Sequence, residues 1–145
     1  MKRRGLLLAP TLAVAVLVAG CGASAAEEAA QAVYEECVRP DADHQLLEHD
    51  GPEVRIAVTG DAARARAGAS GALDAVERGD DPEDVDFTGM GIAMGVVLAT
   101  ECLVEETRYP GSSDQLQDGD EWEGWRFTEE SGAGSEFTAT FTSTG

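Results

Sequence analysis

Three observations predict an α+β domain over residues 31–145, a small antiparallel sheet of two β-hairpins covered by two helices. In one segment apolar residues recur three and four positions apart, the spacing of one helix face, and a second, longer segment is apolar on every side, as in a buried helix. In two other regions apolar and polar residues alternate between turn residues, as in hairpins with one buried face. The elements follow the order helix, hairpin, helix, hairpin, which favours one antiparallel sheet with the helices laid on it.

The first helix is expected from Ala26 to Val38, where Ala30, Val33, Tyr34 and Cys37 share a face. Arg39-Pro40-Asp41 ends it, because the residue before a proline is pushed out of helical backbone angles. Gln45 to His49 and Val54 to Thr59 form the first hairpin around Asp50-Gly51-Pro52, with Gly60-Asp61 closing its second strand. Residues 60–80 are rich in Ala, Gly, Arg and Asp, with only Leu73 and Val76 as helical anchors, and read as a mobile connection holding one short helix. Asp81-Pro82-Glu83-Asp84 then supplies a cap, a proline suited to the first helical position and acids placed well against the helix dipole.

From Phe87 to Leu103 the residues Met90, Ile92, Met94, Val96, Val97, Leu98 and Leu103 are apolar on every side, the pattern of a helix at the centre of a fold. Gly91 and Gly95 are expected to let a neighbouring backbone approach closely. Their spacing also occurs in membrane helix dimers, but the apolar run is too short to span and tight packing on a sheet is the preferred reading. After Tyr109-Pro110-Gly111 and Leu116-Gln117-Asp118-Gly119 comes the second hairpin. Trp125 and Phe127 share a face of one strand, while Phe137, Ala139 and Phe141 share a face of the next, with Thr138, Thr140 and Thr142 opposite and residues 129–136 as the loop. Trp122, opposite in parity to Trp125, is the better candidate for exposure, with a half-buried tryptophan at the strand edge as the default reading. The two halves share no sequence that aligns.

The first residues carry a different kind of information. Lys2-Arg3-Arg4 precede an apolar stretch from Leu6 to Ala19, broken only by Pro10 and Thr11, and the small residues Ala19-Gly20 follow. These are the parts of a secretory signal. With a cysteine directly after Ala19-Gly20, the ending Leu17-Val18-Ala19-Gly20-Cys21 resembles the lipobox of bacterial lipoproteins. The resemblance covers residues 1–21 and implies a diacylglyceryl group on the Cys21 sulfur, cleavage just before it, and an extracytoplasmic domain on the outer face of the cytoplasmic membrane. An ordinary signal with an unrelated cysteine and an uncleaved membrane helix are the alternatives, the latter disfavoured by an apolar run below the roughly 20 residues a span requires. Residues 21–30 then read as the lipidated cysteine and a tether, reaching at most about 30 Å. A helix with an internal cysteine, the Tyr109-Pro110 turn, Asp118-Gly119 and a Trp-rich closing hairpin also resemble small two-cysteine envelope proteins of actinobacteria, loosely over residues 33–141. That second resemblance implies no particular activity.

With Cys21 taken by lipid, Cys37 and Cys102 remain as an even pair in an oxidising compartment, where a disulfide is the expected state. A thiolate metal site shared with His44 or His49 is the alternative, and it lacks C-x-x-C or H-x-x-x-H spacing. No cofactor and no metal are implied.

The charge narrows the partners. The formal net charge is −18, and removal of residues 1–20 takes away Lys2, Arg3 and Arg4 but no acid, shifting it to −21. So negative a body is repelled by nucleic acid and by anionic headgroups. No lysine remains after that cleavage, which excludes imine chemistry on the mature chain.

Catalytic patterns are sparse. Gly68-Ala69-Ser70-Gly71-Ala72 lacks the last glycine of a nucleophile elbow, and His44 and His49, five apart, do not share a face. The acidic run Asp80, Asp81, Glu83, Asp84 and Asp86 could hold Ca²⁺ weakly, yet it lacks the glycine turn and closing glutamate of an EF-hand loop, and the smaller cluster Asp118, Asp120 and Glu121 stands no better. Glu121, Glu123, Glu129 and Glu130 lie near Trp122 and Trp125 as candidate carboxylates for glycan hydrolysis, with no separation defined. The expectation is therefore no enzyme and no catalytic residue, but a non-enzymatic binding or adaptor module of the cell envelope. Its anchor is the membrane, its partner an envelope protein or the cell wall, and its contact residues Trp122 and Arg126. A cell-wall hydrolase and a weak Ca²⁺-binding surface protein are the alternatives.

Overall fold

Helix α1 spans Ala25–Cys37 and starts on a reciprocal cap: the Glu27 amide donates to Ser24 Oγ at 3.2 Å, and the Ser24 amide donates to Glu27 Oε2 at 2.7 Å. Two donors that a helix start leaves without partners are satisfied by that exchange. The computed structural model describes residues 23–40, 42 and 44–145, so Cys21 and the stretch expected to be a signal lie outside the described residues. Residues 25–30, expected as tether, are the first turns of α1, and Ala30 is fully buried.

The sheet has five antiparallel strands in the order β1-β2-β5-β4-β3: β1 Leu47–Asp50, β2 Glu53–Val58, β3 Glu121–Trp122, β4 Trp125–Ser131 and β5 Phe137–Ser143. Both expected hairpins are present, β1–β2 around Gly51 with its positive φ and β4–β5 around residues 132–136. The strand β4 runs to Ser131, so residues 129–131, expected in the loop, continue the ladder. Pairing of β2 with β5 fuses the hairpins, setting Val54 opposite Phe141 and Ile56 opposite Ala139. Period-two alternation sends Val54, Ile56, Val58, Phe127, Ala139 and Phe141 into the core on one face. Each fully buried large side chain there contributes about 1.5–3 kcal/mol. Arg55, Thr138, Thr140 and Thr142 point to the other face, half-buried among their cross-strand neighbours.

The inner face is covered by α1 and by α4, Thr88–Glu106, and the Cys37–Cys102 disulfide ties the two helices together across a sequence separation of 65. The fold is thus α+β, with the expected bridge in place.

Three sequence expectations are corrected. Residues 60–80 are not a mobile connection with one short helix but two helices, α2 Gly60–Ala67 and α3 Ala69–Arg78. Alanine-rich composition suffices for helix when α2 and α3 both pack on α4 and Gly79, at φ 79°, ends α3 in the left-handed region. Asp81-Pro82 caps only a 3₁₀ turn, Pro82–Asp84, with the Glu83 amide donating to Asp81 Oδ1 at 3.1 Å, and α4 starts separately at Thr88.

The third correction matters most. Helix α4 is not central: only Gly89, Ile92, Leu103 and Val104 are buried, whereas Met94, Val97 and Leu98 are exposed. A domain with one covered sheet face has two layers, so a helix lying on it has one inner side. Apolar residues all round such a helix must therefore emerge on the outside. The close backbone approach also falls elsewhere than expected: Gly89 rests on the Ala65 carbonyl of α2, Gly91 meets nothing within 4 Å, and Gly95 faces only the Leu46 side chain.

Candidate functional site

The hairpin residues expected to form one contact surface lie on opposite faces of the sheet. Glu123 and Gly124, the latter at φ 82°, turn the chain so tightly that Trp122 pairs directly with Trp125. Facing residues of an antiparallel pair share a side, so Trp122 turns inward with Trp125, and a parity count along a continuous strand misses the turn. The half-buried Trp122 ring lies edge-on to Tyr109 at 5.0 Å and to Phe141 at 6.2 Å, and its Nε1 donates to the Thr107 carbonyl at 2.8 Å. Arg126 is on the outer face, exposed, with its guanidinium on Glu121.

Around Trp122 the contacts form a closed structural network. Buried Thr107 donates through Oγ to the Leu103 carbonyl at 2.6 Å, and the Tyr109 hydroxyl donates to Asp120 at 2.8 Å. That hydrogen bond to a carboxylate holds the Tyr109 phenol above its ordinary pKa. The same Asp120 oxygen accepts from the Gln117 amide, and Asp118 accepts from the Glu129 amide at 2.9 Å. These acids fasten the connection leading into β3.

The acidic run is used in the same local way. Asp86 Oδ1 accepts from the Thr88 amide at 2.9 Å, and hydrogen bonding to Thr88 holds its carboxyl below the usual range. Asp80 pairs with Arg78 at 3.0 Å, and Asp81 caps the 3₁₀ turn. Asp80, Asp81, Asp84 and Asp86 border an open groove of about 550 Å³ against α2 and α3. Among the described residues no three His, Cys, Asp or Glu side chains gather as a metal site would require.

The residues weighed for catalysis are scattered. His49 faces inward on β1, opposite Val54, and stacks on Tyr34 at 5.6 Å, with Nε2 buried and without a hydrogen-bond partner among the described residues. His44 lies exposed ahead of β1. Neighbouring positions on a strand face opposite ways, which separates Glu129 from Glu130. A second cleft, about 650 Å³, opens between the inner ends of β4 and β5 and helices α2 and α4, with Glu129, Val96, Thr100 and Phe137 in its wall. Polar groups at its mouth already hold one another: Arg66 lies 4.7 Å above the Phe137 ring, and the Gly60 amide donates to Glu136 at 3.2 Å.

Among the described residues, the feature without internal partners is the outer side of α3 and α4. Leu73 and Val76 on α3, Phe87 just before α4, and Met94, Val97 and Leu98 on α4 are each at least 40% exposed. Among the described residues α4 alone is long and apolar enough to cross a membrane, with a mean hydropathy of 1.4, yet Cys102, Ile92 and Leu103 bind it into the domain. The sequence pattern puts the apolar residues of α4 at the centre of the fold and makes Leu73 and Val76 only the anchors of a short helix, and counting the layers of the predicted fold is the signal that moves the α4 residues outward.

No family model matches the chain, and no curated protein or solved structure matches it either.

Proposed function

We propose that the protein is a lipoprotein anchored through Cys21 to the outer face of the cytoplasmic membrane, serving there as a non-enzymatic binding or adaptor module of the envelope. The lipobox-like ending of the signal supports the anchor. The start of helix α1 at Ala25, four positions after Cys21, supports a folded body close to the membrane in this reading. One observation carries the binding role: six large apolar side chains on α3, α4 and the residue before α4 are exposed on a disulfide-closed domain whose sheet buries its own apolar side chains on one face. Exposed apolar residues scattered singly need no explanation, but a group on neighbouring helices marks a surface that meets something else. This reading moves recognition from the Trp122 hairpin to the α3–α4 face, since the Trp122 ring is held inside by Thr107, Tyr109 and Phe141.

The anchor is tested by Cys21→Ser, which should move the protein from the membrane fraction to the medium or leave the signal uncut. Normal retention together with normal processing would remove the anchor from the account. The face is tested separately, by comparing the accessibility of Met94 in cells and in the purified chain.

A further inference from the structure

We propose that the α3–α4 face receives a basic amphipathic helix from a partner protein. This rests on the reading of the chain as a binding module and names the chemistry of what it binds. Phe87, Gly91, Met94 and Leu98 follow one another at four, three and four positions, one continuous stripe of a helical surface. Within that stripe Gly91 has open space above it, leaving a notch between the flanking Phe87 and Met94 side chains. Leu73 and Val76 are exposed apolar residues on α3, which packs against α4. A long apolar stripe with a flexible methionine suits the apolar side of a docking helix better than it suits a small polar ligand.

Charge selects among the possible occupants. From residue 68 to residue 106 the chain carries ten acids and one base, Arg78, and that base is bonded to Asp80 at 3.0 Å. Glu101 and Glu105 continue the stripe itself beyond Leu98, and both are exposed. A second copy would set Glu101 and Glu105 and a strongly negative body against their like, and anionic headgroups would meet the same repulsion. A helix with an apolar side and Lys or Arg along its flanks matches both the stripe and its rim.

The test uses the full chain held in zwitterionic nanodiscs, titrated with a synthetic amphipathic Leu–Lys helical peptide, with binding to empty nanodiscs subtracted. A peptide of identical composition but scrambled order supplies the same charge without the apolar face. The expected result is binding at least about tenfold tighter for the amphipathic peptide, weakened about tenfold by Met94→Asp with Leu98→Asp, and weakened by added salt. Glu101→Lys with Glu105→Lys, a change at exposed positions that leaves the apolar stripe intact, should also weaken it, with melting temperatures checking that each variant folds. Equal binding of the two peptides, or unchanged binding by the folded variants, overturns the proposal. So does concentration-dependent self-association that Met94→Asp abolishes, or protection of Met94 by the nanodisc lipid alone. Protection of Met94 in cells with no preference for the amphipathic peptide would defeat this inference and leave the binding module standing, whereas no protection in cells would defeat the module itself.

Discussion

Alanine at two glycines two positions apart in α4 should change stability in opposite directions. At Gly91 a methyl group meets nothing within 4 Å, so Gly91→Ala gains the helix preference of alanine over glycine, about 0.8–1 kcal/mol, with no steric cost. At Gly89 the same methyl would overlap the Ala65 carbonyl oxygen, standing 2.9 Å from its carbon and 3.1 Å from the Ala69 nitrogen. All three atoms belong to backbone, so no side chain can rotate away; α2 must shift off α4. Overpacking of this kind costs typically 1–3 kcal/mol or more, which exceeds a propensity gain already reduced in the first helical turn. For a domain of this size about 1 kcal/mol moves the melting temperature by roughly 3–5 °C, so the two variants should separate by at least about 3 °C, Gly91→Ala above the parent and Gly89→Ala below. Thermal unfolding followed by far-ultraviolet circular dichroism reads both. Equal shifts, or a stabilised Gly89→Ala, would refute the α2–α4 packing described here.

Cys37→Ser with Cys102→Ser should lower stability by about 4 kcal/mol, because the bridge closes a loop spanning a sequence separation of 65, and a melting temperature within a few degrees of the parent would contradict this. Trp122→Ala should cost about 2 kcal/mol, less than full burial would give, through loss of its contacts with Tyr109 and Phe141 and of the hydrogen bond to Thr107; an unchanged denaturation midpoint would return the ring to the surface. The Asp86 carboxyl, held low by Thr88, should titrate below the ordinary aspartate range in a carboxylate NMR experiment. Its contribution to the start of α4 is fully present above the unfolded pKa and is lost as pH falls through the lowered folded value, so an ordinary or raised midpoint would contradict the cap.

Much of the architecture was legible because it depends on local periodicity. The alternation of Val54, Ile56 and Val58, the Asp50-Gly51 turn, and the spacing of Ala30, Val33 and Cys37 each specify an element without reference to the rest of the chain. Features that depend on how elements meet were not legible. Trp122 is half-buried at a strand edge, but the parity argument that made it a contact candidate fails because a two-residue turn at Glu123-Gly124 reverses it, and Gly89 carries no signal because its partner, Ala65, lies on a helix that weak anchors conceal. The apolar side of α4 was read as core because composition reports how apolar a helix is, whereas the number of layers around it decides how much of it is covered. Of the candidate site the sequence therefore contained every residue but not its exposure.

The central claim is that the α3–α4 face is free on the isolated chain and occupied in the envelope. Hydroxyl-radical footprinting of Met94, Leu98 and Leu73, on whole cells and on the purified full chain in zwitterionic nanodiscs, tests it directly, with the inward Trp122 as internal reference. Met94 should label several-fold more slowly in cells than in nanodiscs while Trp122 labels alike in both. Equal labelling of Met94 in the two settings would contradict the claim.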